Sequence, residues 1–169
     1  VLYSLLTVEL ELEKNKILHR DINPNNIILG LDGEVYLIDF GLAKQIGRNS
    51  ITLSSANFGP FTPGYAPYEQ YMNLKKNQDI RTDLFQIGVT IYEACTGINP
   101  FLKDSSTIKD IFNKTASFIP APLNLLGDTK GLFSQYINVL MAKSQSQRPN
   151  TASDAMRYLE IIKKTLVME

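Results

Sequence analysis

Asp21 and Asn26 stand five residues apart in the stretch HRDINPNN, which also carries the chain's only histidine, His19. Asp39 follows a later apolar run and directly precedes Phe40 and Gly41. A carboxylate and a side-chain amide are hard oxygen donors. Together they suit Mg²⁺, which takes few protein ligands and keeps positions for water and phosphate. Asp and Asn are also the ordinary residues of turns and helix caps, so their types alone leave both readings open.

The elements around these residues decide whether they can meet. Ile27 to Leu29 and Val35 to Ile38 are short β-rich runs separated by GLDGE, whose Asp-Gly is a hairpin signal. Pairing them brings Asn26 and Asp39 to the same end. Ahead of the polar stretch, residues 1–13 are ambiguous. Leu2, Leu5, Leu6 and Leu12 suit a helix face, while Val8 to Glu13 alternates as a strand would. Gly41 to Pro67 is rich in Gly, Pro, Ser and Asn without a sustained period, and reads as a long loop, of a length that is usually functional or disordered. Beyond it, Thr82 is expected to cap a helix to about Thr96, stopped by Gly97. Its positions 84, 87, 88, 91, 92 and 95 follow helical spacing. Phe85, Val89 and Ala94 fill the other side, so this helix is expected to be buried and central, with Cys95 in the core. Ile108 to Lys114 and Leu132 to Ala142 are weaker helices. Thr151 opens a last amphipathic helix as TASD, with Ala152, Ala155, Met156, Leu159, Ile162 and Leu166 as its apolar stripe.

The totals exclude several classes. The chain has 169 residues, 44% of them hydrophobic and 20% charged, as in a folded domain with a real core. A formal net charge of zero gives no reason to expect nucleic acid or an anionic membrane as partner. One histidine and one cysteine cannot build a zinc site or an internal disulfide. No apolar run reaches a membrane span, since Leu84 to Phe101 is interrupted by Gln86, Glu93 and Asn99. No signal peptide is visible, so a cytoplasmic location is expected.

HRDINPNN followed by DFG resembles the catalytic and metal-binding loops of the eukaryotic-type protein kinases, in a bacterial-like serine/threonine form. Three later stretches match the same family in order. TPGYAPYEQ resembles the end of the activation segment, TDLFQIGVTIYEACTGINPF the long central helix, and SQRPNTASDAM the closing Arg-Pro motif. The resemblance covers essentially the whole chain. It implies an α+β protein-kinase-like fold, of which residues 1–169 are the mainly α-helical large C-terminal lobe with a small β-hairpin. It also makes residues 1–13 a helix.

Carried over by position, the resemblance gives each group an expected role. Asp21 orients the substrate hydroxyl and accepts its proton. Asn26 and Asp39 hold Mg²⁺, and Phe40 and Gly41 count with them in the nucleotide-binding set. Thr62 supports Asp21, and Asp83 holds the catalytic-loop backbone from the central helix. Glu69 and Arg148 form a buried ion pair. Arg20 pairs with a phosphorylated activation loop, with Ser50, Thr52, Ser54 and Ser55 as candidate sites. His19 is a packed structural residue. ATP and Mg²⁺ are the implied cofactors, a protein Ser/Thr hydroxyl the implied acceptor, and Pro24 and Thr62 favour that specificity over tyrosine.

The sequence departs from the family in places. Asn23 stands where a lysine usually contacts the transferring phosphate; it is expected to serve in the catalytic set with Asp21 and Thr62 as a hydrogen-bond donor without charge, and Asn25 offers no replacement charge. Lys16 replaces a common glycine, and APYE moves the proline one place. The Gly-rich loop, anchoring lysine and partner glutamate of a small N-terminal lobe are expected upstream of residue 1, so the fragment alone is expected to be inactive. The alternative is a non-catalytic pseudokinase or kinase lobe that binds a protein partner. A small-molecule kinase of related fold is less well matched, because TPGY…E builds a peptide-docking segment.

Overall fold

The computed structural model describes residues 1–45, 61–74 and 77–167. Helix α1 spans Leu2–Lys14 and settles the ambiguity at the N-terminal end. Its buried residues Leu2, Leu5, Leu6, Glu9 and Leu12 recur at helical spacing over all thirteen positions, whereas the strand-like alternation holds for only six. The longer period wins because it gives α1 one continuous face to bury.

Strand β1 (Ile17–Leu18) leads into the polar stretch, where Pro24–Asn26 form a 3₁₀ turn. Strands β2 (Ile27–Leu29) and β3 (Val35–Leu37) pair antiparallel in the expected hairpin, with Ile27 opposite Leu37 and Leu29 opposite Val35. Gly33 at its tip has φ of 85°, a left-handed backbone that glycine adopts without a side-chain clash. After a 3₁₀ turn at Phe40–Leu42, β4 (Lys44–Gln45) returns to pair antiparallel with β1. The expected unbroken loop from Gly41 to Pro67 therefore contains a strand. Two residues are too few to show a period, so the pattern could not reveal it. The candidate phosphosites Ser50, Thr52, Ser54 and Ser55 lie outside the described residues.

The remaining elements are helical: α2 (Tyr68–Tyr71), α3 (Ile80–Thr96), α4 (Ile108–Ser117), α5 (Leu132–Leu140) and α6 (Ala152–Val167). Helix α3 is the central rod, packed against α1 and α5, while α6 closes over α1 and α5. Leu84, Phe85, Ile87 and Val89 of α3 meet Leu5, Leu6, Ile137 and Leu140 in one apolar core. Gly97 ends α3 at φ of 73°, with its N–H on the Glu93 carbonyl at 2.7 Å, as expected of a glycine stop. Thr151 accepts the Asp154 amide at 2.9 Å, and Glu13 of α1 accepts the Ala152 amide at 3.0 Å. Together these satisfy the start of α6.

Two expectations about α3 need correction. Its cap is Asp79, whose side chain accepts the Arg81 amide at 3.0 Å, so the helix begins before Thr82. Thr82 is fully buried in the first turn and spends its hydroxyl on Glu69 at 3.2 Å. At the other end Ala94 and Cys95 are exposed, because the last turn of α3 rises out of the core. Partial desolvation still raises the Cys95 thiol rather than activating it.

Gly88 marks the closest approach of α3 to α5. A Cβ there would lie 2.8 Å from the Leu140 Cβ and 2.9 Å from the Met141 Cγ. Alanine gains about 1 kcal/mol of helix propensity over glycine, but overpacking a tight contact costs about 1–3 kcal/mol. The clash should win, because Leu140 is itself fully buried and cannot yield. Gly88→Ala is expected to lower stability by about 1 kcal/mol in urea unfolding; a rise in the midpoint would show that α5 shifts freely.

Candidate functional site

The polar stretch between β1 and β2 is held from beneath by side chains of α3 and α2. Asp83, fully buried in the first turn of α3, accepts the backbone amides of His19 and Arg20, each at 2.8 Å. One turn further along, Gln86 accepts the Ile22 amide at 2.8 Å and donates to the Arg20 carbonyl at 2.9 Å. Gln70 of α2 donates to that carbonyl at 2.7 Å and accepts from Gln86 at 2.8 Å. These bonds fix Arg20 at φ of 69°, a left-handed conformation that costs a non-glycine residue about 1–2 kcal/mol. Strain of this kind persists only where the surroundings over-determine it.

His19 takes the structural part expected of it. Its Nδ1 accepts the Asp21 amide at 3.3 Å and its Nε2 lies 3.0 Å from the Ile38 carbonyl. A carbonyl can only accept, so one neutral tautomer satisfies both contacts. Burial lowers the imidazole's tendency to protonate, in keeping with that tautomer. The ring also meets Phe40 edge-on, with centroids 4.7 Å apart.

With the backbone so fixed, the candidate residues converge. Both Asp21 carboxylate oxygens are engaged: Thr62 donates its hydroxyl to Oδ1, and Asn26 donates Nδ2 to Oδ2 at 2.9 Å. Asn26 also donates to the Asp21 carbonyl at 2.8 Å. Its amide hydrogens being spent, Asn26 has its Oδ1 oxygen left as the donor atom for a cation. The Ile38 amide bonds the Asn26 carbonyl at 2.9 Å, which brings Asp39 to the same end of the hairpin as Asn26. Asp39 is exposed, at φ of 58°, and binds the Gly41 amide through Oδ1 at 3.0 Å. One amide oxygen and one carboxylate fit Mg²⁺, which completes its shell with water and phosphate oxygens.

Asn23 has a different task from the one expected. It is 2% exposed, donates Nδ2 to the Asp21 carbonyl at 3.0 Å and accepts the Asn25 amide at 3.0 Å. It caps the 3₁₀ turn, and this geometry gives no support to a role as donor to a phosphate.

The segment bearing Thr62 is anchored separately. Pro63-Gly64 turns sharply, with Gly64 at φ of 85° and the Tyr65 amide on the Thr62 carbonyl at 3.2 Å. Tyr65 donates to Glu93 at 2.5 Å. Behind the turn, Arg148 grips Glu69 in the expected pair through two bonds, at 2.6 and 3.3 Å, in a fully buried setting. It also donates to the Arg81 and Ala142 carbonyls at 3.0 and 2.8 Å. Gln70, Gln86 and the Tyr65–Glu93 bond were not anticipated. The available signal was Gln86 itself: a glutamine three residues after Asp83, on the same face of an otherwise apolar helix.

A family model described as the protein kinase domain matches residues 5–161. The chain is 32% identical over 151 residues to a probable serine/threonine-protein kinase of Clostridium perfringens, covering 89% of this chain and 21% of that one. It is 30% identical over 152 residues to the serine/threonine-protein kinase PknL of Mycobacterium tuberculosis, covering 90% and 37%. It is 32% identical over 144 residues to a dual specificity mitogen-activated protein kinase kinase of Caenorhabditis elegans, covering 81% and 32%. The chain thus spans well under half the length of each of these curated relatives.

If Gln86 anchors the polar stretch, Gln86→Leu strips the buried Ile22 amide of its acceptor. An unsatisfied buried donor costs about 1–3 kcal/mol, and a second bond, to Arg20, is lost as well. A destabilisation of about 2–4 kcal/mol is expected in chemical denaturation. A loss within about 0.5 kcal/mol, the range of an ordinary surface change, would remove Gln86 from the anchor.

Proposed function

The chain belongs to the protein kinase family, and from that premise we propose that it is the large, mainly helical C-terminal lobe of an ATP-dependent protein serine/threonine kinase. The observation that carries this reading is the convergence of Asp21, Asn26 and Asp39 at one end of the hairpin, with Thr62 on the Asp21 carboxylate.

In this reading Asp21 receives the acceptor hydroxyl. Its carboxylate is held by Thr62 and Asn26, so a lone pair can be directed at the hydroxyl proton and the oxygen aligned for in-line attack. Asn26, through Oδ1, and Asp39 hold Mg²⁺, which when bound neutralises charge on the ATP phosphates. Gly41 fixes the Asp39 side chain by its amide, and Phe40 packs on His19, so both belong to the nucleotide-binding set through their effect on Asp39. Arg20 is in this reading the partner of a phosphorylated residue of the activation segment.

The exposed apolar side chains on and beside the hairpin support this reading. Ile28, Leu29, Tyr36 and Phe40 are 48%, 61%, 51% and 46% exposed, next to the Mg²⁺ ligands. A patch of this kind fits a face covered by a nucleotide base and a second lobe. No helix among the described residues is long and apolar enough to cross a membrane.

The buried amide of Asn23 favours a second reading. It leaves no cation at the position where the family usually places a lysine, as expected of a pseudokinase lobe that binds a protein partner. Activity separates the two. In the full-length protein, Asp21→Asn should lower phosphoryl transfer to a protein substrate by about 10²–10⁴-fold, the usual contribution of a positioned proton acceptor. Asp39→Asn should raise the Mg²⁺ concentration needed for half-maximal rate. Unchanged turnover in Asp21→Asn would sink the catalytic assignment, and an inactive wild-type protein would favour the binding module.

A further inference from the structure

Glu9 is the one group on the buried face of α1 that the packing of an apolar core does not explain. It is 0% exposed, and neither carboxyl oxygen has a hydrogen-bond partner among the described residues. Across the packed contact between α1 and α3 lies Asp83, also 0% exposed. Two carboxyls buried in one low-dielectric region cannot both be ionised at acceptable cost.

Their surroundings decide which one carries the proton. Burial pushes the Asp83 carboxyl up to about 7, but it accepts two backbone amides at 2.8 Å and the Arg20 guanidinium adds charge, both of which favour its ionised form. Asp79, just ahead of α3, acts against it. Glu9 has no donor of its own, and the charged groups acting on it are Asp83 and, from its own helix, Glu13. Hydrogen bonds to the charged form favour ionisation, and burial without them disfavours it.

We propose that Glu9 and Asp83 form a buried carboxyl pair with the proton held on Glu9, making Glu9 a positioning residue that keeps Asp83 fixed on the His19 and Arg20 amides. As a neutral acid, Glu9 fills the α1–α3 contact without opposing the charge of Asp83. When Glu9 releases its proton to solvent, a second negative charge appears in the same buried region. The two charges can then be hydrated only if α1 and α3 separate, which loosens the backbone that carries Asp21. The link to activity rests on the kinase reading, but the proton pair itself does not.

The direction of the pH effect follows. Burial, with Asp83 and Glu13 adding to it, holds the Glu9 carboxyl well above the usual carboxylate range in the folded chain. Above the ordinary glutamate range the unfolded chain has lost a proton that the folded chain keeps. Stability from this group is therefore complete at acid pH and lost as pH rises through the folded-state value.

The test is carbon-13 NMR of the chain labelled at the glutamate carboxyls, titrated over the range in which it stays folded, with Glu9→Gln to assign the resonance. The expected result is one glutamate carboxyl that titrates well above the ordinary carboxylate range and is absent in Glu9→Gln, its titration moving the amide shifts of His19 and Arg20. The fall in stability on going alkaline should also be shallower in Glu9→Gln than in the wild type. A Glu9 resonance that titrates in the ordinary carboxylate range overturns the proposal, as do His19 and Arg20 amides that ignore it. Should Glu9→Gln fail to fold, the wild-type resonance is assigned through its own backbone and the same two outcomes decide. Neither readout requires phosphoryl transfer, so failure here leaves the kinase reading standing, and an inactive kinase leaves this proposal standing.

Discussion

The site depends on one buried carboxylate gripping two backbone amides. A loop between two short strands has no periodic hydrogen bonding of its own, and its conformational entropy would let it sample many shapes. Asp83 removes that freedom at two successive residues, His19 and Arg20, with bonds of 2.8 Å to each. Charge-assisted bonds are roughly twice as strong as neutral ones, which is enough to hold Arg20 in a left-handed conformation. Gln86 and Gln70 extend the grip to Ile22 and the Arg20 carbonyl with neutral amides. The choice of amides has a reason: more carboxylates at this depth would repel Asp83.

The Glu69–Arg148 pair does a comparable job for the segment that brings Thr62 to Asp21. Desolvating two charges costs several kcal/mol each, so such a pair contributes little net stability compared with an apolar replacement. What it contributes is position. Removing either partner strands the other charge, at a cost of about 3–5 kcal/mol. The geometry meets that demand, since Arg148 bonds both Glu69 oxygens and three backbone carbonyls besides. Thr82 adds a bond of 3.2 Å to Oε1, the Glu69 oxygen that Arg148 holds at 2.6 Å, so its hydroxyl serves this pair while Asp79 caps the helix.

How much of this was legible in the sequence varied with the kind of interaction. The hairpin and its shared end were readable because β-rich runs and an Asp-Gly turn are local signals. The glycine stop of α3 and the threonine opening α6 were readable for the same reason. Residues 1–13 were not settled by pattern, since burial of a whole helical face is a tertiary fact. Strand β4 was too short to carry a period. The burial of Cys95 was misjudged because helical spacing shows which face a residue shares, not where along its length the helix leaves the core. Asp21, Asn26, Asp39 and Thr62 were found through ordered motifs. Gln70 and Gln86 were passed over because a glutamine among apolar residues looks like an interruption. Its meaning lies in backbone groups 50 to 66 residues away, which no local window contains.

Asn23 shows how far position in a motif can differ from the work a side chain does. A lysine there could extend past the loop toward a phosphate; an asparagine is too short to do so while its amide bonds the Asp21 carbonyl and its oxygen bonds the Asn25 amide. The substitution exchanges reach for rigidity. It stiffens the turn next to Asp21. Rigidity and charge are separable contributions to catalysis in general, because holding reactants in line and stabilising developing charge each lower a barrier independently. The buried, doubly bonded side chain of Asn23 supplies the first and carries no charge for the second.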